Sequence, residues 1–430
     1  MALDVLVVGS GGREHALVTG LRRSPDLGRL FCAPGNAGIG RDAILVPIAA
    51  DDIRGLADFA EREGIDLTVV GPEAPLVEGI ADIFEARGLT VFGPVQEGAL
   101  LEGSKSFAKG VMAAAGVPTG RAAPFNDYDS AHAYLREHGV PIVVKADGLA
   151  AGKGVTVAQT IAEADEALRE CFLEDRFGVA GRTVLLEECL VGEEVSLLAI
   201  VSGGRVLPLA PAQDYKRIFD GDKGPNTGGM GCYSPVPSMT PALYDEIVRT
   251  VFRPTVDELQ RRGVDFRGVL YAGMILTADG PRVLEFNTRF GDPETQALIP
   301  RLRSDLLALL RAAARGEELP EAAEWSEGPC VGVVMASRGY PASSSKGDVI
   351  RGLDQAVALP GVEVFHSGTA LNGGDLVTDG GRVLTVSALG SSFAEARRLA
   401  YQGVALIDFE GSQHRTDIAL RAELGEEGEA

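Results

Sequence analysis

Short apolar runs that break at glycine and lead into helix-periodic segments constrain this chain more than any other feature. LDVLVVG (3–9) stops at Ser10-Gly11-Gly12, and REHALVTGLRRS then carries Ala16, Leu17 and Leu21 on one helical face. RLFCAPGN reads as a second strand and loop. DDIRGLADFAEREG reads as a helix whose acidic start suits the positive end of its dipole. IDLTVVGPE, LVEGIADIFEARG and TVFGP continue as strand, helix and strand. This alternation predicts a doubly wound parallel sheet that presents ligands at the carboxyl ends of its strands.

Beyond residue 103, SKSFAKGVMAAAGVPTG predicts a helix, and 124–190 a small α+β lobe. Long strand patterns follow at VSLLAIVSGG, RVLPLAPAQDY, RGVLYAGMILTADG and PRVLEFNTRFG. From about 326 the chain reads as an antiparallel sheet with GG and DGG turns, then a helix at SFAEARRLAYQGVAL and a frayed acidic tail. At roughly 150 residues per domain, 430 residues imply about three domains. The 61 acidic against 40 basic residues, net −21, argue against a nucleic-acid binder, which needs a basic footprint. No apolar run approaches the roughly 18 residues of a membrane span, and the N-terminus does not read as a signal peptide. Cys32, Cys171, Cys189, Cys232 and Cys330 have no CxxC spacing, so they read as buried thiols in a reducing, cytoplasmic setting.

Chemistry concentrates in a few stretches. GSGGREH starts as G-x-G but has Glu14 at the third glycine position, and no acidic residue follows at the distance a ribose would need. It reads as an anion turn in which free N–H groups of residues 10–13 hold a phosphate. In PIVVKADGLAAGKGV, Lys145 ends an apolar strand and a Gly-rich loop with Lys153 follows. That pairing suits a triphosphate, although the Walker A pattern is not met. TVLLEECLVGEEVS places Glu187 and Glu188, then Glu193 and Glu194, around a strand end. An extended chain there could read an adenine edge and a carboxylate beyond it ribose hydroxyls, or the acids could simply be solvated. In VLEFNTRFGDPETQ, Glu285 and Asn287 share one face of a strand, about 7 Å apart, and offer two oxygen donors to a hard cation that bridges phosphates. Arg289 follows on that face, suited to a carboxylate or phosphate. The stretch 213–235 has no regular apolar period and reads as a long functional loop, with Asp214, Lys216 and Arg217 before GPNTGGMG.

Taken in order, VVGSGGREHAL, APGNAG, VVGPEAPL, EGSKSFAK, VVKADGLAAGKGV, EECLVGEEVS, GPNTGGMG and EFNTRFGDPETQ closely resemble the glycinamide ribonucleotide synthetases (phosphoribosylamine–glycine ligases), ATP-grasp ligases of de novo purine synthesis. The resemblance runs from near residue 3 to about residue 410. It implies a pre-ATP-grasp domain at 1–103 and an ATP-grasp core at 104–123 and 192–325. A small mobile lid lobe would occupy 124–191, and an antiparallel β-rich domain 326–430. It implies ATP contacts at Lys105, Lys145, Gly152, Lys153, Gly154, Glu187, Glu188, Cys189, Leu190, Glu194 and Asn287. Magnesium or manganese would sit on Glu285 and Asn287. Phosphoribosylamine and glycine would meet Gly11, Gly12, Arg13, Glu14, Asn36, Glu73, Asp214, Lys216, Asn226, Thr227, Gly228, Gly229, Met230 and Arg289. Lys145, Asp214 and Arg289 would serve catalysis, in a cytoplasmic monomer whose partners are small molecules. A relative that ligates a different phosphorylated acceptor is the nearest alternative. A nicotinamide oxidoreductase would need the fingerprint that Glu14 breaks. A non-catalytic nucleotide sensor would keep the ATP loops without the Glu285/Asn287 pair.

Overall fold

A computed structural model describes residues 2–149 and 154–429. The first sheet is entirely parallel, with strands in the order 44–45, 27–34, 3–9, 67–70 and 91–92. Its central strand is buried on both faces, which explains an uninterrupted apolar run. Val5 and Val7 pack with Leu17 and Leu21 of the helix 12–21. Leu6 and Val8 pack on the other side with Leu56 and Phe59 of the helix 53–63. That second helix is capped by Asp52, which accepts from Gly55 N, and ends at Gly64 in the left-handed region. The next helical segment is broken in two, 73–77 and 80–86, by Gly79 at φ +86°.

An antiparallel sheet follows, in the order 205–208, 193–202, 267–277 and 280–287. A smaller antiparallel sheet, 122–125, 184–188, 142–146 and 155–158, has its own core of Ala131, Leu135, Val144, Leu168 and Leu186. The C-terminal region holds a five-stranded sheet and a three-stranded one, 346–349, 375–379 and 369–372, whose hairpin turns on Gly373-Gly374.

In three places the structure departs from the sequence reading. The stretch 213–235 is not an irregular loop. It forms four short strands, 213–214, 217–219, 223–226 and 231–234. The first and last extend the C-terminal sheet in the order 213–214, 231–234, 330–336, 382–389 and 362–366. Strand 223–226 is wholly exposed, so no apolar period marks it. Two helices, 241–247 and 253–261, joined by a π-helical turn, fill a segment left unread. The acidic C-terminus is helical over Leu420–Glu429 rather than frayed, because its acids find partners. Glu423 pairs with Arg397 at 3.0 Å, and Glu426 accepts from Phe393 N at 2.8 Å. Among the described residues, no helix is long and apolar enough to cross a membrane.

Candidate active site

The strand Gly280–Asn287 would turn its acid into the core if its pairing were regular. Opposite the strand 267–277, Val283 faces Met274 and Phe286 faces Ala272, all four in the apolar core. Between them Leu284 is an extra, bulged residue, so Glu285 pairs with Gly273 and Asn287 with Tyr271 on the opposite face. The bulge therefore aims both side chains out of the core together, and the Leu284 carbonyl accepts from Lys145 Nζ at 3.2 Å. Burial pushes the Glu285 carboxyl up, but Lys216, Lys145, Lys105 and Arg289 outweigh it and hold the group below its ordinary range.

The lysines are delivered from different elements. Lys105 opens the helix 105–115, whose N-terminus is capped by Ser104 and by Asp147, which accepts from Ser106 N at 2.6 Å. Asp147 is two residues past Lys145, so this cap brings the two lysines together. Lys105 Nζ donates to Gly148 O at 3.1 Å, and burial pushes its ammonium down. Lys145 Nζ lies 2.6 Å from Glu187 Oε2, and Glu187 Oε1 is gripped by Lys109. Glu187 is only 2% exposed, so it is a buried carboxylate held between two ammonium groups. Lys109 also donates to Thr119 Oγ1 at 2.7 Å and Gly120 O at 2.9 Å. The sequence reading missed Lys109, although its i,i+4 spacing from Lys105 puts both on one helical face.

Strand alternation turns Glu188 the other way, to Arg121 at 3.4 Å. Cys189 and Leu190 lie just beyond the strand end, outside any regular element. Gly154 O accepts from Ala146 N at 2.8 Å, and Gly152 and Lys153 fall outside the described residues. Glu194 pairs with Lys216 at 2.6 Å. Asp214 sits beside this pair, and burial pushes its carboxyl up to about 7 against the pull of Lys216.

At the other end, charges alternate along a buried chain. Arg289 meets Glu102 at 2.9 Å and Glu73 at 3.4 Å, and Asn287 Oδ1 at 3.3 Å. Arg13 lies 4.0 Å from Glu73 and 2.6 Å from Glu14. The anion turn differs from expectation here: Gly11 N donates to Glu14 Oε2 at 2.5 Å, so the chain's own carboxylate takes one of the free N–H groups. Glu14 is wedged between Gly9 and Gly71, where any Cβ would collide with it. Asn36 spends its side chain on the backbone, donating to Ser10 O and His366 O and accepting from Gly38 N and Ile39 N. It shapes the turn and offers no side-chain group outward. His15, beside the turn, accepts from His366 N at 2.8 Å. In the 226–230 segment Asn226 is exposed, while Thr227 N donates to Lys216 O at 2.7 Å and Met230 N to Tyr215 O at 2.8 Å. Arg382 joins Gly228 O to Asp292 Oδ2, the latter at 3.1 Å. Gly229, at φ +107°, leaves no room for a Cβ against Pro293. Glu102, Asp292 and Arg382 were not singled out from the sequence, and nothing local to Arg382 marks it.

Among the described residues no cluster of three or more His, Cys, Asp or Glu forms a ready metal cage. The donor set of Glu285 and Asn287 nonetheless suits a hard cation that shares its shell with phosphate oxygens.

The domain family described as phosphoribosylglycinamide synthetase, N domain, matches residues 3–102. Its ATP-grasp (A) domain matches 103–295 and its C domain 330–421. A phosphoribosylamine–glycine ligase of Brucella melitensis is 51% identical over 420 residues, 98% of each chain. Another, of Allochromatium vinosum, is 51% identical over 423 residues, 98% of this chain and 99% of its own. The solved phosphoribosylamine–glycine ligase of Thermotoga maritima superposes with a TM-score of 0.84 at 33% identity, covering 97% of this chain and 100% of that one. The biotin carboxylase domain of Hydrogenobacter thermophilus 2-oxoglutarate carboxylase, at 17% identity and TM-score 0.75 over 96% and 92% of the two chains, shares the fold.

Gly71→Ala tests the Glu14 wedge. The added Cβ would overlap Glu14 Oε1, so Glu14 must swing away from Gly11 and Arg13. Urea unfolding should show a loss of about 1–3 kcal/mol; an unchanged midpoint would count against the wedge.

Proposed function

The chain belongs to the phosphoribosylglycinamide synthetase family, ATP-grasp ligases of purine biosynthesis that join glycine to 5-phosphoribosylamine, and we propose how its own residues carry out that reaction. The observation that carries the proposal is Glu285, aimed out of the core by a bulge and ringed by Lys105, Lys145, Lys216 and Arg289. A lone carboxylate does not need four cations, whereas a polyphosphate and a substrate carboxylate brought to the same place do.

A carboxylate and an amine do not condense unaided in water. The glycine carboxylate oxygen would attack the γ-phosphorus of ATP, and ADP would leave with the bridging oxygen. The amine of phosphoribosylamine would then attack the carbonyl carbon of glycyl phosphate, expelling phosphate and releasing one proton. Lys105 and Lys145 would neutralise the phosphate oxygens, with Lys109 and Glu187 fixing Lys145 in place. Gly154, with Gly152 and Lys153, would wrap the phosphate tail. The backbone at Glu188, Cys189 and Leu190 would meet adenine, beside Glu187, and Glu194 would take the ribose once it releases Lys216. ATP is used with a divalent ion in this family. Glu285 and Asn287 would hold it, as magnesium or manganese, and its bound charge would offset that of the phosphates.

Arg289 would orient the glycine carboxylate. Gly11, Gly12, Arg13, Glu14, Glu73 and the 226–230 backbone would surround the phosphoribosyl group, with Asn36 shaping the turn beneath it. Asp214 would accept the proton from the attacking amine, since a carboxyl held near 7 can be ionised and still basic at neutral pH. The lobe at 124–191 would close over the acyl phosphate and exclude water, moving as a unit because its core is its own. The domain limits follow the same reading: 1–103, 104–123 with 192–325, 124–191, and 326–430. The same reading gives a monomer acting on small molecules. The five unpaired thiols support a cytoplasmic setting.

Lys145→Ala and Glu285→Gln should each lower kcat/KM by roughly 100-fold or more with the thermal midpoint nearly kept. Near-normal turnover in either purified variant would refute the assignment. In the parent enzyme kcat/KM should rise with pH through about 7 as Asp214 ionises. That limb should vanish in Asp214→Asn, and its persistence would remove Asp214 from the role of base.

A further inference from the structure

Arg415 is the chain's most unusual buried group outside the site: a guanidinium only 1% exposed, far along the chain from every residue assigned a role. A charge so desolvated is tolerable only if nearly all its donors are met. Here Asp417, two residues on, meets one edge of the guanidinium, and the segment 215–226 meets the other. Arg415 Nη1 donates to Arg217 O at 3.0 Å and Asp222 Oδ1 at 2.9 Å. Its Nε and Nη2 each donate to Asp417 at 2.7 Å, and Asp417 in turn accepts from Gly221 N at 2.9 Å. The guanidinium also lies 4.7 Å from the centre of the Tyr215 ring. Neighbouring residues add ties to the same segment: Ala419 N donates to the Tyr215 hydroxyl at 3.0 Å, and Thr416 N to Asp220 Oδ1 at 2.8 Å.

The segment so held is the hairpin 217–219 and 223–226 together with Tyr215. Tyr215 stands between Asp214 and Lys216. In an extended chain its side chain points opposite to theirs. Lys216 reaches Glu194, on the far side from Arg415. We propose that Arg415 is a positioning residue for the acceptor end of the site. By clamping the Tyr215 ring and the Arg217 carbonyl from behind, it fixes the backbone from which Asp214 and Lys216 project toward glycine and phosphoribosylamine. The proposal rests on the reading that these two residues meet those substrates.

The test uses the full chain as Arg415→Met, Arg415→Lys and Asp222→Asn. Asp222 is 55% exposed at its side chain and sits at φ +53°, which Asn tolerates, so this variant loosens one tie without burying a defect. Amide hydrogen exchange should quicken by roughly tenfold or more over 215–226 and stay unchanged in the strand 267–277. The KM for glycine or phosphoribosylamine should rise by roughly tenfold, with ATP affinity within about twofold of the parent. The order of severity should be Met, then Lys, then Asn at 222, and free guanidinium ion should partly restore Arg415→Met. Unchanged exchange over 215–226 in folded Arg415→Met, or in the other two variants should that one fail to fold, overturns the clamp. Faster exchange with every KM unchanged overturns the assignment of Asp214 and Lys216, and the positioning role with it. An equal rise in the KM for ATP and for the acceptor overturns the proposal in favour of a general structural role.

Discussion

A desolvated carboxylate surrounded by an excess of cations governs this molecule. Burial alone would drive Glu285 to its neutral form, and the four neighbouring cations prevent it. Two unit charges 4 Å apart attract by about 4 kcal/mol at an effective dielectric of 20. Withdrawing each ion from water costs several kcal/mol in its own right. The cluster is therefore a poor way to stabilise a fold. It is a good way to build a place where phosphate oxygens are worth more than water, because the positive surplus is already desolvated and aligned. Glu187 acts similarly in the layer behind, where a single buried acid holds Lys109 and Lys145 and orients the second.

Each cation arrives from a different region of the chain. Lys105 comes from a helix start, Lys145 from the small lobe, Lys216 from the 213–235 segment, and Arg289 from just beyond the bulged strand. The site is complete only when these regions are docked. The fold secures that docking by threading one segment into another's sheet. Strands 213–214 and 231–234 belong to the C-terminal sheet, yet residue 214 and residue 216 face the central one. A chain so interleaved cannot loosen its C-terminal region without moving the acceptor end.

How much of this was legible depended on the range of the interaction. The parallel sheet, the small lobe and the Glu285–Asn287 pair follow from periods of two and 3.6 and were read from the sequence. The bulge at Leu284 was invisible, because nothing in VLEFN distinguishes a bulged strand from a regular one until its partner is known. The pair was expected on one face, and which face could not be told. Glu14 was noticed as an interruption of a glycine pattern, but its use as the turn's own anion needs Gly71, far along the chain. Glu102 and Arg382 carry no local signature, since their partners are separated from them by many residues, and Arg415 shows only its neighbour Asp417, while Arg217, Asp222 and Tyr215 lie about two hundred residues before it. The 213–235 segment misled for the opposite reason: its strands are only two to four residues long, too short to set up a period, and one of them, 223–226, is wholly exposed.

The net charge of −21 and an anion-binding site are compatible once distances are considered. At physiological ionic strength exposed charges are screened beyond about 8 Å, so acids on the outer helices do little to a phosphate inside a cleft. Lys105 and Lys109 within it are largely buried, so salt screens them less, while the same burial pushes their ammonium groups down. Sign reversal between surface and interior has a further consequence. Acids that approach the cleft must be tied to a cation or they would cancel the surplus, and Glu73, Glu102, Glu187 and Glu194 each are. Glu194 is the most exposed of the four and is held by one lysine alone. It is thus the acid most easily released to a hydroxyl-rich ligand, and releasing it frees Lys216, already one of the cations around Glu285, from its competing partner.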